Sequence, residues 1–182
     1  MPTRNPQGDV DKMADVICPV DFDWSDEHAI RDTDFKQIFS AVPDGVEFVW
    51  ISDSCNSGDL TKAFAKNRIK TMIPPADINW RIQTAKEASI KAMTIVKSAA
   101  NLNVALIAAC PGDKEAADAV FAGRPNGALT YFLLQELRTK DGLKEPLTTL
   151  VANLQSSLEK DGYDQVPQLE GSSDIEKKAF LT

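Results

Sequence analysis

Three cysteines and one histidine are the obvious carriers of nucleophilic and proton-transfer chemistry in this 182-residue chain, and they are scattered along it. Cys55 has the most suggestive setting. It sits in Ser52-Asp53-Ser54-Cys55-Asn56-Ser57-Gly58, a polar turn that follows the apolar run 46–51. Open α/β sheets present reactive groups to ligands at the carboxyl ends of their strands. A cysteine nucleophile needs thiolate character, usually supplied by a histidine that also protonates the leaving group. The single histidine, His28, lies among acidic residues in Asp26-Glu27-His28 and reads as a polar residue at a turn or helix approach. No other base is evident.

Asp53 precedes Cys55 by two positions, so strand alternation would aim both side chains at one face. A carboxylate there could pair with a cationic substrate group, with Arg in bidentate fashion. It could equally be a turn residue bonding to its own backbone. Zinc is disfavoured, because no two cysteines have the close spacing of a ligand pair. Calcium remains open: Asp9, Asp11, Asp15, Asp21 and Asp23 gather hard oxygen ligands in one region.

Composition narrows the classes. A formal charge of -7 and a pI near 4.7 argue against a nucleic-acid surface. Lys62, Lys66, Arg68 and Lys70 alternate with apolar residues and read as a solvated face. The odd cysteine count gives no disulfide framework, no apolar leader follows Met1, and no apolar run reaches the ~20 residues of a membrane span. A soluble protein in a reducing cytoplasm is the default expectation. The length suits one domain, burying roughly 70% of the surface of the unfolded chain.

The elements that must position these residues follow from periodicity. Residues 46–51 and 103–110 predict two buried parallel strands, which would bring Cys55 and Cys110 to the same sheet edge. Phe35, Ile38, Phe39 and Val42 predict a helix capped by Asp32 or Thr33. Asn126 would cap a second helix over 127–138. Pro146 would open a third, with Leu147, Leu150, Val151, Leu154 and Leu158 on one face, until Gly162 stops it. Residues 1–13 read as a loop, 60–101 as a loop with one or two helices, and 165–171 as a short last strand. Cys18, in an apolar context near Pro19, reads as a buried structural thiol.

Taken in order, these segments resemble the caspase-like cysteine peptidases, in particular the metacaspase or orthocaspase branch. Asp53-Ser54-Cys55-Asn56-Ser57-Gly58 resembles that branch's nucleophile motif Asp-Ser/Cys-Cys-His-Ser-Gly. Cys18-Pro19-Val20-Asp21-Phe22 resembles the Pro-x-Asp-Phe/Tyr that precedes it. Cys110 with Asp113, Ala117-Asp118-Ala119 and Asn126-Gly127-Ala128-Leu129-Thr130-Tyr131 resemble the start of the small-subunit region, and Pro167-Gln168-Leu169-Glu170-Gly171 its ending.

The resemblance implies an α/β, caspase-like three-layer sandwich with a mostly parallel central sheet, lacking its amino-terminal part. Residues 1–59 would end the large-subunit-like region, 60–102 would connect, and 103–182 would form the small-subunit-like region. It implies Cys55 as nucleophile of a Cys-His dyad and Asp53 as the acid selecting Arg or Lys. No cofactor is required, although Asp11 and Asp15 fall in the acidic loop where relatives bind activating calcium. Ala14 replaces a more usual acid there, and Asn56 replaces a histidine that is not the base.

The family's catalytic histidine, in Ser-Gly-His-Gly, would fall before Met1, together with a glycine that contributes to the oxyanion hole. The expected activity of the chain alone is therefore little or none. Its expected partners are a protein or peptide substrate with a basic residue before the cleaved bond, and either the missing amino-terminal half or a related chain that completes the sheet; nucleic acid and membrane are not expected. A catalytically inactive binding or regulatory module is the alternative. A flavodoxin-like domain explains the strands but not the ordered motifs.

Overall fold

A computed structural model describes residues 1–4, 10–14, 16–54, 68–69, 72, 74–87, 92–93, 104–111 and 116–180. In chain order these form β1 (Pro2–Arg4), β2 (Val10–Ala14), β3 (Val16–Ile17), β4 (Ile30–Arg31), α1 (Asp32–Ser40), β5 (Phe48–Ser52), β6 (Arg68–Ile69), α2 (Ala76–Glu87), β7 (Ala92–Met93), β8 (Val104–Ala108), β9 (Ala117–Phe121), β10 (Arg124–Gly127), α3 (Ala128–Leu137), α4 (Leu147–Lys160), β11 (Gln168–Glu170) and α5 (Ser173–Glu176). They make two compact units, one of Met1–Ala41 with Ile73–Ser98, the other of Val42–Met72 with Ala99–Thr182. The strand leading to Cys55 thus folds with the carboxyl-terminal residues rather than with those just before it.

In the first unit, β1 and β2 pair antiparallel where the sequence suggested a loop, and β2 pairs parallel with β7. Helix α1 forms over the expected stretch, with Phe35 and Phe39 each 1% exposed and their rings 5.8 Å apart. Its cap differs from expectation. Arg31 is the N-cap, and Asp34 reaches back from the third helical position to accept the Arg31 backbone N–H at 2.8 Å. This is the carboxylate half of a capping box, and it leaves Asp32 and Thr33 inside the helix. Ile38 is exposed, because the buried stripe of this short helix is narrowed to the two phenylalanines. Helix α2 follows Pro74 and Pro75, buries Ile78 and leaves Trp80 exposed.

The second unit holds the parallel pair expected from the sequence. β5 and β8 run in register from Phe48 opposite Val104 to Ser52 opposite Ala108, and β11 adds an antiparallel strand on the far side of β8. Val104, Ala105, Leu106 and Ile107 are all nearly inaccessible, as befits a central strand covered on both faces. β5 is only half-buried, with Ile51 exposed and Val46 outside the strand, so the run expected to be buried on both faces is covered incompletely among the described residues. Of the seven strand pairings described, two are parallel, so a mostly parallel sheet is not what these residues display.

Helix α4 buries the predicted face: Leu147, Leu150, Val151, Leu154 and Leu158. It ends in a Schellman arrangement at Gly162 (φ 82°), where the Gly162 N–H donates to the Glu159 carbonyl and the Tyr163 N–H to that of Leu158. These side chains form one core with α3, Ile175 of α5 and the alternate β8 residues Ala105 and Ile107. The β9–β10 hairpin, which the sequence reading missed, turns at Ala122 and Gly123, both with positive φ as a two-residue hairpin loop requires. Gln165, 2% exposed, ties the chain after α4 to β9 by accepting the Ala117 N–H at 2.9 Å.

Candidate active site

The carboxyl end of β5 is built by three neighbouring elements. The Ser52 carbonyl accepts the Ala109 N–H at 2.9 Å, so the β5–β8 ladder continues to the end of both strands. Beyond it the Ser52 and Ser54 hydroxyls lie 2.8 Å apart and share a hydrogen bond. The chain has left the strand by Asp53, and helix α3 meets it there. Thr130 donates both its backbone N–H (3.0 Å) and its hydroxyl (2.5 Å) to Oδ2 of Asp53.

The local cause lies in α3 itself. Its N-cap is Gly127, which has no side chain to offer, while Asn126 belongs to β10 and turns its amide to the Arg124 carbonyl. The first N–H groups of a helix lack internal partners and carry partial positive charge. Thr130 occupies the third helical position, where a capping oxygen normally binds. Asp53, 77 residues earlier in sequence, supplies that oxygen. One carboxylate oxygen of Asp53 is therefore committed to α3. Thr130 was quoted only as part of a motif; the signal that could have found it is the glycine where α3 needs a cap.

The other candidates are placed less completely. Cys55, the next residue but one after Asp53, lies outside the described residues, as do Asn56 and Asp15. Asp11 is in β2, and its side chain is outside the description. The calcium expectation therefore rests on sequence, and the described residues contain no group of three metal-competent side chains. Cys110 follows the carboxyl end of β8 but is 9% exposed and packs within the core with Ala109 and Ala116, and its expected nearness to Cys55 lies outside the described residues. Cys18 is exposed, not a buried structural thiol, because β3 stops at Ile17 and the chain leaves the sheet.

His28 lies with its Nδ1 3.1 Å from Oδ1 of Asp23, in the loop between β3 and β4. The Ser25 hydroxyl and the Ser25 N–H lie beside Asp23, the N–H donating to its Oδ1 at 2.8 Å, and these push the Asp23 carboxyl down to about 2. His28 is thus tied into a local turn rather than set at a strand end.

Residues 2–63 match the family model of the metacaspase peptidase C14 domain, a span that contains Cys55, Asp53, Asp11 and Asp15. Metacaspase-9 of Arabidopsis thaliana is 34% identical over 83 residues, which are 46% of this chain and 22% of that protein. Residues 2–63 are metacaspase-like. The metacaspase-like segment includes the first unit's amino-terminal stretch and the β5 strand of the second. The crystal structure of protein GSU0716 from Geobacter sulfurreducens superposes with a TM-score of 0.57 over 95% of this chain and 69% of that one, at 20% identity, and shows a shared α/β fold. The aligned part spans about a fifth of the Arabidopsis relative. No helix among the described residues is long and apolar enough to cross a membrane.

Proposed function

We propose that the chain is part of a caspase-like cysteine endopeptidase that hydrolyses peptide bonds after Arg or Lys, with Cys55 as nucleophile and Asp53 as the acid that receives the basic side chain. The observation that carries this reading is the metacaspase family match, which runs through Cys55 and ends five residues after Gly58. The β5–β8 pair supports it by delivering Asp53 and Ser54 to a strand end beside the amino terminus of a helix. The finer fold expectation, a caspase-like sandwich, belongs to the same proposal.

In this mechanism the Cys55 thiolate attacks the carbonyl carbon after the basic residue. A base that took the thiol proton returns it to the departing amine, leaving a thioester. Water then attacks that thioester, and the carboxylic acid product leaves with Cys55 restored. Within these 182 residues the only imidazole is His28, engaged with Asp23 in its own loop. The dyad is accordingly incomplete here, and the chain by itself has little or no peptidase activity. The same observation favours a second reading, a caspase-like module that binds partners without catalysis. Calcium at Asp11 and Asp15, a cytoplasmic location, and a partner chain supplying the missing strands complete the proposal.

The experiment is cleavage of Arg- and Lys-terminated reporter peptides with and without calcium, in the presence of added imidazole to stand in for the base, with Cys55→Ala as control. Cys55-dependent release after basic residues supports the peptidase reading. Equal signals from the two proteins remove Cys55 from the mechanism, and specific peptide capture without any cleavage supports the binding module.

A further inference from the structure

We propose that Ser52 and Ser54 act as a pair of positioning residues for the nucleophile: their shared hydrogen bond fixes the segment that joins the end of β5 to Cys55. This rests on the reading of Cys55 as the nucleophile and goes beyond it. β5 ends at Ser52, whose carbonyl accepts the Ala109 N–H at 2.9 Å. Two residues then lead to Cys55, and both are held by their side chains. Asp53 is tied to α3 through Thr130. Ser54 is tied back to Ser52, hydroxyl to hydroxyl, at 2.8 Å.

Residues i and i+2 of an extended chain point to the same face, so the two hydroxyls meet while Asp53 between them turns to α3. Ser52 is half-buried and Ser54 exposed, and neither belongs to the core built by α3, α4 and β8. Loss of their bond therefore leaves the packing of the fold intact and changes the strand end alone. Attack on a carbonyl requires the reacting atoms in a narrow geometry, and freedom in the segment that carries the nucleophile must be removed before the transition state is reached. The serine pair removes part of that freedom beforehand. Its effect accordingly appears in kcat rather than in the affinity for substrate.

The test is hydrolysis of an Arg-terminated reporter peptide by the full chain at one fixed imidazole concentration, the imidazole standing in for the base. Values of kcat and KM are compared for the wild type, Ser52→Ala, Ser54→Ala, the double alanine variant and Ser54→Thr, each first shown to be folded, with Cys55→Ala as control. Each single alanine variant is expected to lose roughly fivefold in kcat, the size of one net hydrogen bond, with KM unchanged. The double variant is expected to lose the same factor and not its square, because either deletion alone already breaks the pair. Ser54→Thr keeps a hydroxyl on an exposed position and is expected to retain the wild-type kcat.

An unchanged kcat in either alanine variant, or losses that multiply in the double variant, overturns the pairing and leaves Cys55 as the nucleophile. A rise in KM at constant kcat does the same, since it places the hydroxyls on the substrate instead. So does a loss in Ser54→Thr as large as that in Ser54→Ala. No hydrolysis by the wild type, or hydrolysis equal in the wild type and Cys55→Ala, overturns both the pairing and the reading of Cys55.

Discussion

Replacing Asp53 by Ala should cost stability even where no substrate is present, because the carboxylate is the N-terminal cap of α3. The side chain accepts two hydrogen bonds at the third position of a helix whose own N-cap is glycine. Losing an N-cap costs about 0.5–2 kcal/mol, and hydrogen bonds to a charged group contribute about 1.5–3 kcal/mol. The contact is only partly buried, so the expected loss is about 2 kcal/mol. Thr130→Val, which removes one of the two bonds, should lose about 1 kcal/mol.

The double variant should then be less damaged than the sum by about 1 kcal/mol, because the threonine hydroxyl has nothing to donate to once the carboxylate is gone. Urea unfolding followed through Trp50 measures this. Trp50 is in β5, and the other two tryptophans, Trp24 and Trp80, belong to the first unit and can be changed to Phe beforehand. With a urea slope of about 2 kcal/mol per molar, the Asp53→Ala midpoint should fall by about 1 M. A loss below about 0.5 kcal/mol for Asp53→Ala, or additivity within about 0.3 kcal/mol, would refute the capping argument.

Three further outcomes follow from packing and charge. At Gly142 an added Cβ would lie 1.9 Å from the Glu136 carbonyl oxygen, a backbone atom that cannot step aside, so Gly142→Ala should destabilise by about 1–3 kcal/mol in the same assay, whereas a wild-type midpoint would show that the loop after α3 yields freely. Asp23, held down to about 2 by the Ser25 hydroxyl and N–H, contributes stability that is present above the ordinary carboxylate range and lost as pH falls toward 2. Its NMR titration should therefore have a midpoint near 2 in the wild type and rise in Ser25→Ala, and an unchanged midpoint would exclude the hydroxyl as the main cause. Burial, and then the charge of Glu176, push the Glu170 carboxyl up, so its ionised form weakens the fold, an effect that is absent in acid and grows as pH rises through the raised value. Glu170→Gln should raise the melting temperature at neutral pH and have a fading effect toward pH 4, and a gain independent of pH would contradict this origin.

What could be read from the sequence was what periodicity writes locally. The face of α4 was legible in Leu147, Leu150, Val151, Leu154 and Leu158, and so was its stop at Gly162. β8 was legible as an uninterrupted apolar run, and its parallel pairing with β5 followed from the intervening crossover length. The hairpin of β9 and β10 was hidden because its turn is Ala122-Gly123, without the Asn-Gly or Asp-Gly signal that usually marks positive φ at both positions. β1 and β2 were hidden by Pro2 and the polar residues of the amino terminus, which write no alternating apolar pattern.

The caps failed for a related reason. Asp32, Thr33 and Asn126 have the right chemistry one or more positions too late or too early, and Asp34 and Asp53 took the roles instead, the latter from a distant part of the chain. That helix α3 would occupy one oxygen of Asp53 depends on tertiary packing that no local window contains.

If Cys55 is, as proposed, a caspase-type nucleophile whose base is not among these 182 residues, chemical rescue tests it most directly. Hydrolysis of an Arg-terminated reporter by the full chain should be negligible in plain buffer, rise with added imidazole, and stay absent in Cys55→Ala at every imidazole concentration. Imidazole-dependent hydrolysis that is the same in wild type and Cys55→Ala would contradict it, and so would strong activity in plain buffer that His28→Ala abolishes.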